Sequence, residues 1–292
     1  MKKNIEIQEK VMDKIIAKIE AGKFTWQKPW KNGILPMNYH SKKPYQGINF
    51  LFTFAADFES PFYLTYNQVK ELKGFIKKDS EGTPIIFYKQ LEKTNNVEGT
   101  GKEVGTDKRD FIPLLKTFTV FNENQIEGIT FKKPELNELK SSKDLETVLS
   151  ALQNKPQIKH TLVEKGATYQ PLTDIITMPL KGQFNTEGEY YSTLLHELIH
   201  STGAANRLNR EGITKFDKVK GDTTYSFEEL IAEIGASYLL AMFDINTERT
   251  DNNNAAYLKG WLKPFKEDKT FLFKAAKEAQ KAVNFILQIK EE

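Results

Sequence analysis

The 292-residue chain contains no cysteine. That excludes a disulfide framework, a thiolate nucleophile and a thiolate metal site. No stretch approaches the roughly 20 consecutive apolar residues of a spanning helix. The basic tip Met1-Lys2-Lys3 is not followed by the apolar segment of a secretory signal, so the expected compartment is the cytoplasm. Histidine is scarce, with four in the chain. Acid is missing from one long window: Ala21 to Ala56 holds five lysines and neither Asp nor Glu. Over residues 1–140, 23 Lys and Arg stand against 18 Asp and Glu, although the whole chain nets only +3. The first half is therefore expected to bind something anionic. Charged and aromatic residues are too plentiful for a disordered chain, and the length allows two cores.

Two of the four histidines fall in His196-Glu197-Leu198-Ile199-His200. On a helix they stack on one face, where both imidazoles reach one ion, and Glu197 lies beside it as a base for water. Leu194, Leu195, Leu198 and Ile199 supply a buried side, and Gly203 supplies a stop. The competing reading is two core histidines that happen to be four apart. A catalytic zinc needs a third protein ligand, and no histidine follows, so a carboxylate must complete the set. The next strong helix offers Glu228-Glu229-Leu230-Ile231-Ala232-Glu233. Glu229 and Glu233 share a face with Ala232 and Ala236, while Glu228 is expected to point elsewhere. Glu229 is taken as the ligand and Glu233 as the carboxylate that orients a liganding histidine, the reverse assignment staying open. Tyr225, one turn before Glu229, is a candidate to polarise a substrate carbonyl. Zn²⁺ is the expected cofactor, with another divalent metal as the alternative.

The N-terminal half opens with an amphipathic helix over Ile5 to Ala21, carrying Val11, Ile15 and Ile19 at helical spacing. A loop-rich stretch follows, with Trp26, Lys28, Trp30, Lys31, Asn38, Lys42, Lys43, Tyr45 and Asn49. Rings alternating with cations suit single-stranded nucleic acid, whose bases stack while ammonium groups follow the phosphates. The alternative is that the tryptophans anchor a small core. A short helix capped by Thr65 precedes two strands, Pro84 to Tyr88 and Leu114 to Phe121, joined by a polar loop over residues 92–110. After them Asn122 and Gln125 offer amides either to a nucleic acid or to a turn. The domain boundary is expected near residue 140, giving an α+β protein with domains over 1–140 and 141–292. Three short strands then lead to the metal-bearing helix, and Met178 is expected at a cleft where an extended peptide adds to the sheet.

As a set, these stretches resemble the ArdC-type antirestriction proteins of conjugative plasmids. In the first half the resemblance rests on Trp26-x-x-Pro29-Trp30, Pro36-x-Asn38, Tyr45-x-Gly47-x-Asn49 and Val120-Phe121-Asn122-x-x-Gln125. In the second it rests on Tyr169, Asp174-Ile175-Ile176-x-Met178-Pro179, His196 to Gly203, Arg207-Leu208-x-Arg210 and Glu228-Glu229-Leu230-x-Ala232-Glu233. The resemblance implies a mixed α/β domain that binds single-stranded DNA without sequence preference, and a zincin-like, gluzincin-type metallopeptidase domain. Lys42 stands where that family usually has glycine. Two rival functions remain: a metallopeptidase whose first half recognises a protein substrate, and a DNA-binding protein with a purely structural metal.

Overall fold

The computed structural model describes residues 2–21, 34–92, 111–132, 141–162, 166–215, 223–246 and 260–290. Helix α1 (Lys2–Glu20) follows the apolar repeat and buries Val11, Met12, Ile15, Ile16 and Ile19. Strands β1 (Met37–Asn38) and β2 (Lys43–Pro44) make a small hairpin, and α2 (Ile48–Ala55) is buried almost throughout. Strand β3 (Phe62–Thr65) runs into α3 (Tyr66–Glu71). There Thr65 and Gln68 form a reciprocal cap, the Gln68 side chain accepting from the Thr65 N–H at 2.9 Å. Strand β4 (Phe75–Ile76), the long β5 (Thr83–Glu92) and β6 (Phe111–Asn122), and β7 (Ile126–Glu127) complete this half. The main sheet has the order β2-β1-β3-β6-β5, while β4 pairs with β7. Antiparallel pairing of β5 with β6 runs from Thr83 opposite Val120 to Glu92 opposite Phe111. Both strands are longer than the expected Pro84 to Tyr88 and Leu114 to Phe121, and Glu92 of the expected loop belongs to β5.

The second half contains α4 (Ser142–Ala151), β8 (Gln157–Thr161), β9 (Thr168–Gln170) and β10 (Ile175–Pro179). It continues with α5 (Glu187–Ser201), α6 (Glu211–Thr214), α7 (Thr223–Met242), α8 (260–267) and α9 (Phe271–Ile286). The expectation for Met178 needs correction. Its strand, β10, is the centre of the order β8-β10-β9: parallel β8 pairs with all of it, Met178 opposite His160, and β9 pairs with Ile175 to Thr177. Met178 is fully buried, and the edge strand that contacts α5 is β9.

The apolar core crosses the expected boundary. One cluster joins side chains of α1 and α2 to those of α5, α7 and α9. The Phe50 ring meets Tyr238 of α7 edge-on with centroids 4.9 Å apart, and Phe52 meets Phe273 of α9 at 6.1 Å. The Gly47 N–H donates to the Gln280 side chain at 2.9 Å. No helix among the described residues is long and apolar enough to cross a membrane.

Candidate functional site

Helix α5 begins under a Thr186 cap, whose hydroxyl accepts from the Glu189 N–H at 3.1 Å. It ends at Ser201, and Gly203 lets the chain fold back tightly. A Cβ on Gly203 would stand 2.6 Å from Ile213 Cγ1 and 3.0 Å from Arg210 Nη2. Arg210 thereby reaches the C-terminal end of α5, donating to the Ile199 carbonyl at 2.8 Å and to the Thr202 hydroxyl at 2.7 Å. A cation there complements the partial negative charge of the helix end.

Helix α7 packs closely on α5. Ala232 and Ala236 are buried, and a Cβ on Gly235 would lie 2.6 Å from Ile199 Cδ1. This approach places Glu229 opposite the two histidines. His196 Nε2 and His200 Nε2 are 3.1 Å apart, and each is 3.5 Å from an oxygen of the Glu229 carboxylate. A tetrahedral ion with Zn–N bonds of about 2.0–2.1 Å sets two ligand nitrogens about 3.3 Å apart. Donor types and spacing therefore fit one small divalent cation. Among the described residues this is the one group whose ligand atoms converge in that way, all lying within 4.8 Å of one another.

The remaining imidazole nitrogens each face a carboxylate. His196 Nδ1 lies 3.4 Å from Glu233, as the shared face of Glu229 and Glu233 suggests. His200 Nδ1 lies 3.3 Å from Glu228, the residue expected to point away. Glu228 is buried and gripped in fork geometry by Arg210, with Nη2–Oε1 at 2.6 Å and Nε–Oε2 at 3.0 Å. Burial opposes charge on Glu228, yet His200 and Arg210 hold its pKa below the ordinary value. Burial likewise opposes charge on His196, but Glu229 and Glu233 push it up to about 10. The acid-lined pocket thus favours a positive charge at the position a cation would take.

Glu197 is half-buried, and its Oε2 accepts from the Tyr169 N–H of β9 at 2.7 Å. Behind it the Tyr169 hydroxyl donates to Asp174 at 2.9 Å, and Arg207 clasps Asp174 with bonds of 2.8 and 2.6 Å. Arg207 also donates to the Ser201 carbonyl at 2.9 Å, so one guanidinium ties the sheet to the end of α5. Tyr225 stands in α7 four residues before Glu229, but its side chain lies outside the described residues. A separate cavity of about 530 Å³ is lined by Arg210, Glu228, Phe227 and Phe271 but by none of the three converging residues. The sequence reading missed Glu228, Arg210 and Tyr169 as parts of the site. The available signal was an arginine pair, Arg207 and Arg210, set close to a run of small and apolar residues.

Of the N-terminal residues expected to meet DNA, Trp26, Lys28, Trp30 and Lys31 lie outside the described residues. Lys42 and Lys43 are exposed on the β1–β2 hairpin. Lys42 adopts φ 57°, the left-handed conformation for which glycine is suited, and its ammonium sits 3.3 Å from the Tyr39 ring centroid. The other candidates hold the fold together. Asn38 donates to Gln68 at 2.9 Å and accepts from the Ser41 N–H at 2.9 Å. Asn49 mimics a strand partner for β5, donating to the Ile86 carbonyl at 2.8 Å and accepting its N–H at 2.7 Å. Asn122 and Gln125 are buried in a turn, Asn122 donating to the Ser60 carbonyl and Gln125 to that of Glu81. Tyr45 is buried, and loss of solvent pushes its phenol up to about 12.

Two family models divide the chain between them. That of the N-terminal domain of anti-restriction factor ArdC matches residues 5–121, and that of a zincin-like metallopeptidase matches residues 145–278. The fold and the HExxH helix thus define a zincin-like module behind an ArdC-type N-terminal module. Two Escherichia coli proteins described as DNA primase TraC are 31% and 34% identical over 97% of this chain, which spans only 20% and 27% of their lengths. The Sinorhizobium fredii protein y4eC is 30% identical, with 96% of this chain and 91% of that one covered. The antirestriction protein ArdC of plasmid R388 superposes with TM-scores of 0.73 (metal-free) and 0.72 (Mn(II)-bound), at 32% identity. The match covers 96% of this chain and 96% or 97% of that one. The chain belongs to the ArdC family of antirestriction proteins.

Proposed function

We propose that this protein binds single-stranded DNA without sequence preference, shields the incoming DNA of a mobile element from restriction, and carries a zinc-dependent peptidase site. The observation that carries the metal assignment is the convergence of His196, His200 and Glu229 on one point, with the outer nitrogens of both rings facing Glu233 and Glu228. The Mn(II)-bound ArdC of plasmid R388 supports a divalent ion in this family's site. When bound, the metal supplies Lewis acidity toward water and a substrate carbonyl. Glu197 is placed to accept the proton of the attacking water and return it to the leaving amine. The Tyr169 N–H fixes one oxygen of that carboxylate and so orients it. Glu233 and Glu228 hold the rings so that both Nε2 atoms converge. The N-terminal unit, divided from this one near residue 140, contributes the Trp26–Trp30 segment, Lys42 and Lys43 to the DNA.

Binding of labelled single-stranded DNA across a salt series tests the first part: affinity should fall as salt rises and as Trp26 and Trp30 are replaced by Ala. No binding at low salt would remove the antirestriction reading. Peptide turnover lost in Glu197→Gln, with metal retained, tests the second. Turnover indifferent to that change would leave the metal with a structural role.

A further inference from the structure

The β5–β6 ribbon carries a surface that neither the sequence pattern nor the metal site accounts for. Phe87 is 50% exposed and Phe118 44% exposed, and their rings meet edge to face with centroids 5.5 Å apart. The register sets Phe87 opposite Lys116 and Ile85 opposite Phe118. Side chains alternate along each strand, so Ile85, Phe87, Lys116, Phe118 and Val120 share one face. At the root of that face Ile85 and Val120 are buried with Tyr45 and Tyr63. Farther along, the same face emerges into solvent as two rings beside an ammonium. Tyr66, Leu72 and Phe75 are exposed in this half too. An exposed strand face ordinarily carries polar side chains, and a contiguous apolar pair marks a contact surface.

We propose that Phe87 and Phe118, with Lys116, form a stacking platform for the bases of single-stranded DNA. This inference rests on the DNA-binding reading above and assigns it residues. Every base has a face that stacks on a ring, so such a platform is indifferent to sequence. Lys116 is placed to follow the phosphate of a stacked nucleotide. The side chains of Tyr45, Asn49, Asn122 and Gln125 are engaged within the fold and leave this part of the surface to the phenylalanines.

The test is fluorescence anisotropy of a labelled oligothymidine with the full chain, comparing wild type, Phe87→Ala, Phe118→Ala, the double variant and Lys116→Gln. Each ring removed should weaken binding by about 5- to 100-fold. Phe118→Tyr should retain it, and Lys116→Gln should reduce the salt slope by about 0.7. Photocrosslinking of wild type to a bromodeoxyuridine oligonucleotide should map to Phe87 or Phe118, which decides the matter even where a variant misfolds. If wild type binds no DNA, the functional reading fails and the platform with it. If wild type binds and a folded double variant binds equally well, or crosslinks map elsewhere, the platform alone is overturned. A wild-type dimer that becomes monomeric in the double variant with DNA affinity unchanged would make this face a self-association surface instead.

Discussion

Glu228 answers to two neighbours at once: its carboxylate faces the His200 ring on one side and is clasped by Arg210 on the other. Because the pair is buried, removing one partner strands the other charge, and Glu228→Ala should destabilise the fold by about 3–5 kcal/mol in chemical denaturation. Glu228→Gln keeps the shape but not the charge, and metal affinity should fall about 10- to 100-fold. An unchanged affinity would make Glu228 a bystander. The sign of the pH effect follows from the lowered pKa. Glu228 stabilises fully above its ordinary value of 4.5, and the contribution drains away as pH falls through the lower folded value. Asp174, held low by Arg207, acts in the same direction below its ordinary 3.8. Acid titration of chelator-treated protein should therefore show stability falling below about pH 4.5, and Glu228→Gln should flatten that limb. The shared face of His196 and His200, and that of Glu229 and Glu233, were legible in the sequence because side-chain direction along one helix is local, with the choice between the two glutamates left open. Glu228 and the Tyr169 N–H were not, because each meets its partner only after the chain folds back from elsewhere. Asn122 and Gln125 show the same limit, since an amide suits a base edge and a turn equally well.

Between elements, the contact of α5 with α7 sets the metal geometry. Gly235 leaves room for Ile199, and an added methyl would meet three atoms of that side chain between 2.6 and 3.2 Å. Gly235→Ala gains about 1 kcal/mol of helix propensity, but overpacking of this kind costs about 1–3 kcal/mol. The net should be a loss of up to about 2 kcal/mol, and metal affinity should drop with it if α7 is pushed outward. A stabilised variant with unchanged affinity would show that the helices approach with slack. The acid-bearing face of α7 was readable from the four-residue spacing of Glu229 and Glu233 and from Ala232 and Ala236 beside them. The place of β10 at the centre of its sheet was not, because apolar alternation marks a strand without ranking its neighbours. The reach of β5 past Tyr88, and of β6 before Leu114, was likewise hidden, because Lys89, Gln90 and Pro113 interrupt the apolar pattern of the sequence.

In the whole molecule, α2 of the N-terminal half lies against α7 and α9, with Phe50 fully buried beside Tyr238. The helix that presents Glu229 is thus packed on its far end by the first half of the chain. Calorimetry should show the two halves unfolding in one transition. Phe50→Ala should remove about 3–5 kcal/mol and lower the stability of both halves together. Two resolved transitions, one unaffected by Phe50→Ala, would show that the shared core does not couple them. The boundary expected near residue 140 rests on a polar stretch punctuated by Pro134, Ser141-Ser142 and Pro156, whereas the core shared across it joins residues far apart in the chain and has no local signal.

The central claim is that α5 and α7 hold one divalent ion on His196, His200 and Glu229. Calorimetric titration of Zn²⁺ into chelator-stripped protein tests it directly, with Glu229→Ala and Glu233→Ala alongside. The predicted result is one ion per wild-type chain, binding lost or severely weakened without Glu229, and a reduction of about 10- to 100-fold without Glu233. Tight binding that survives Glu229→Ala, or no stoichiometric binding in wild type, would contradict the assignment.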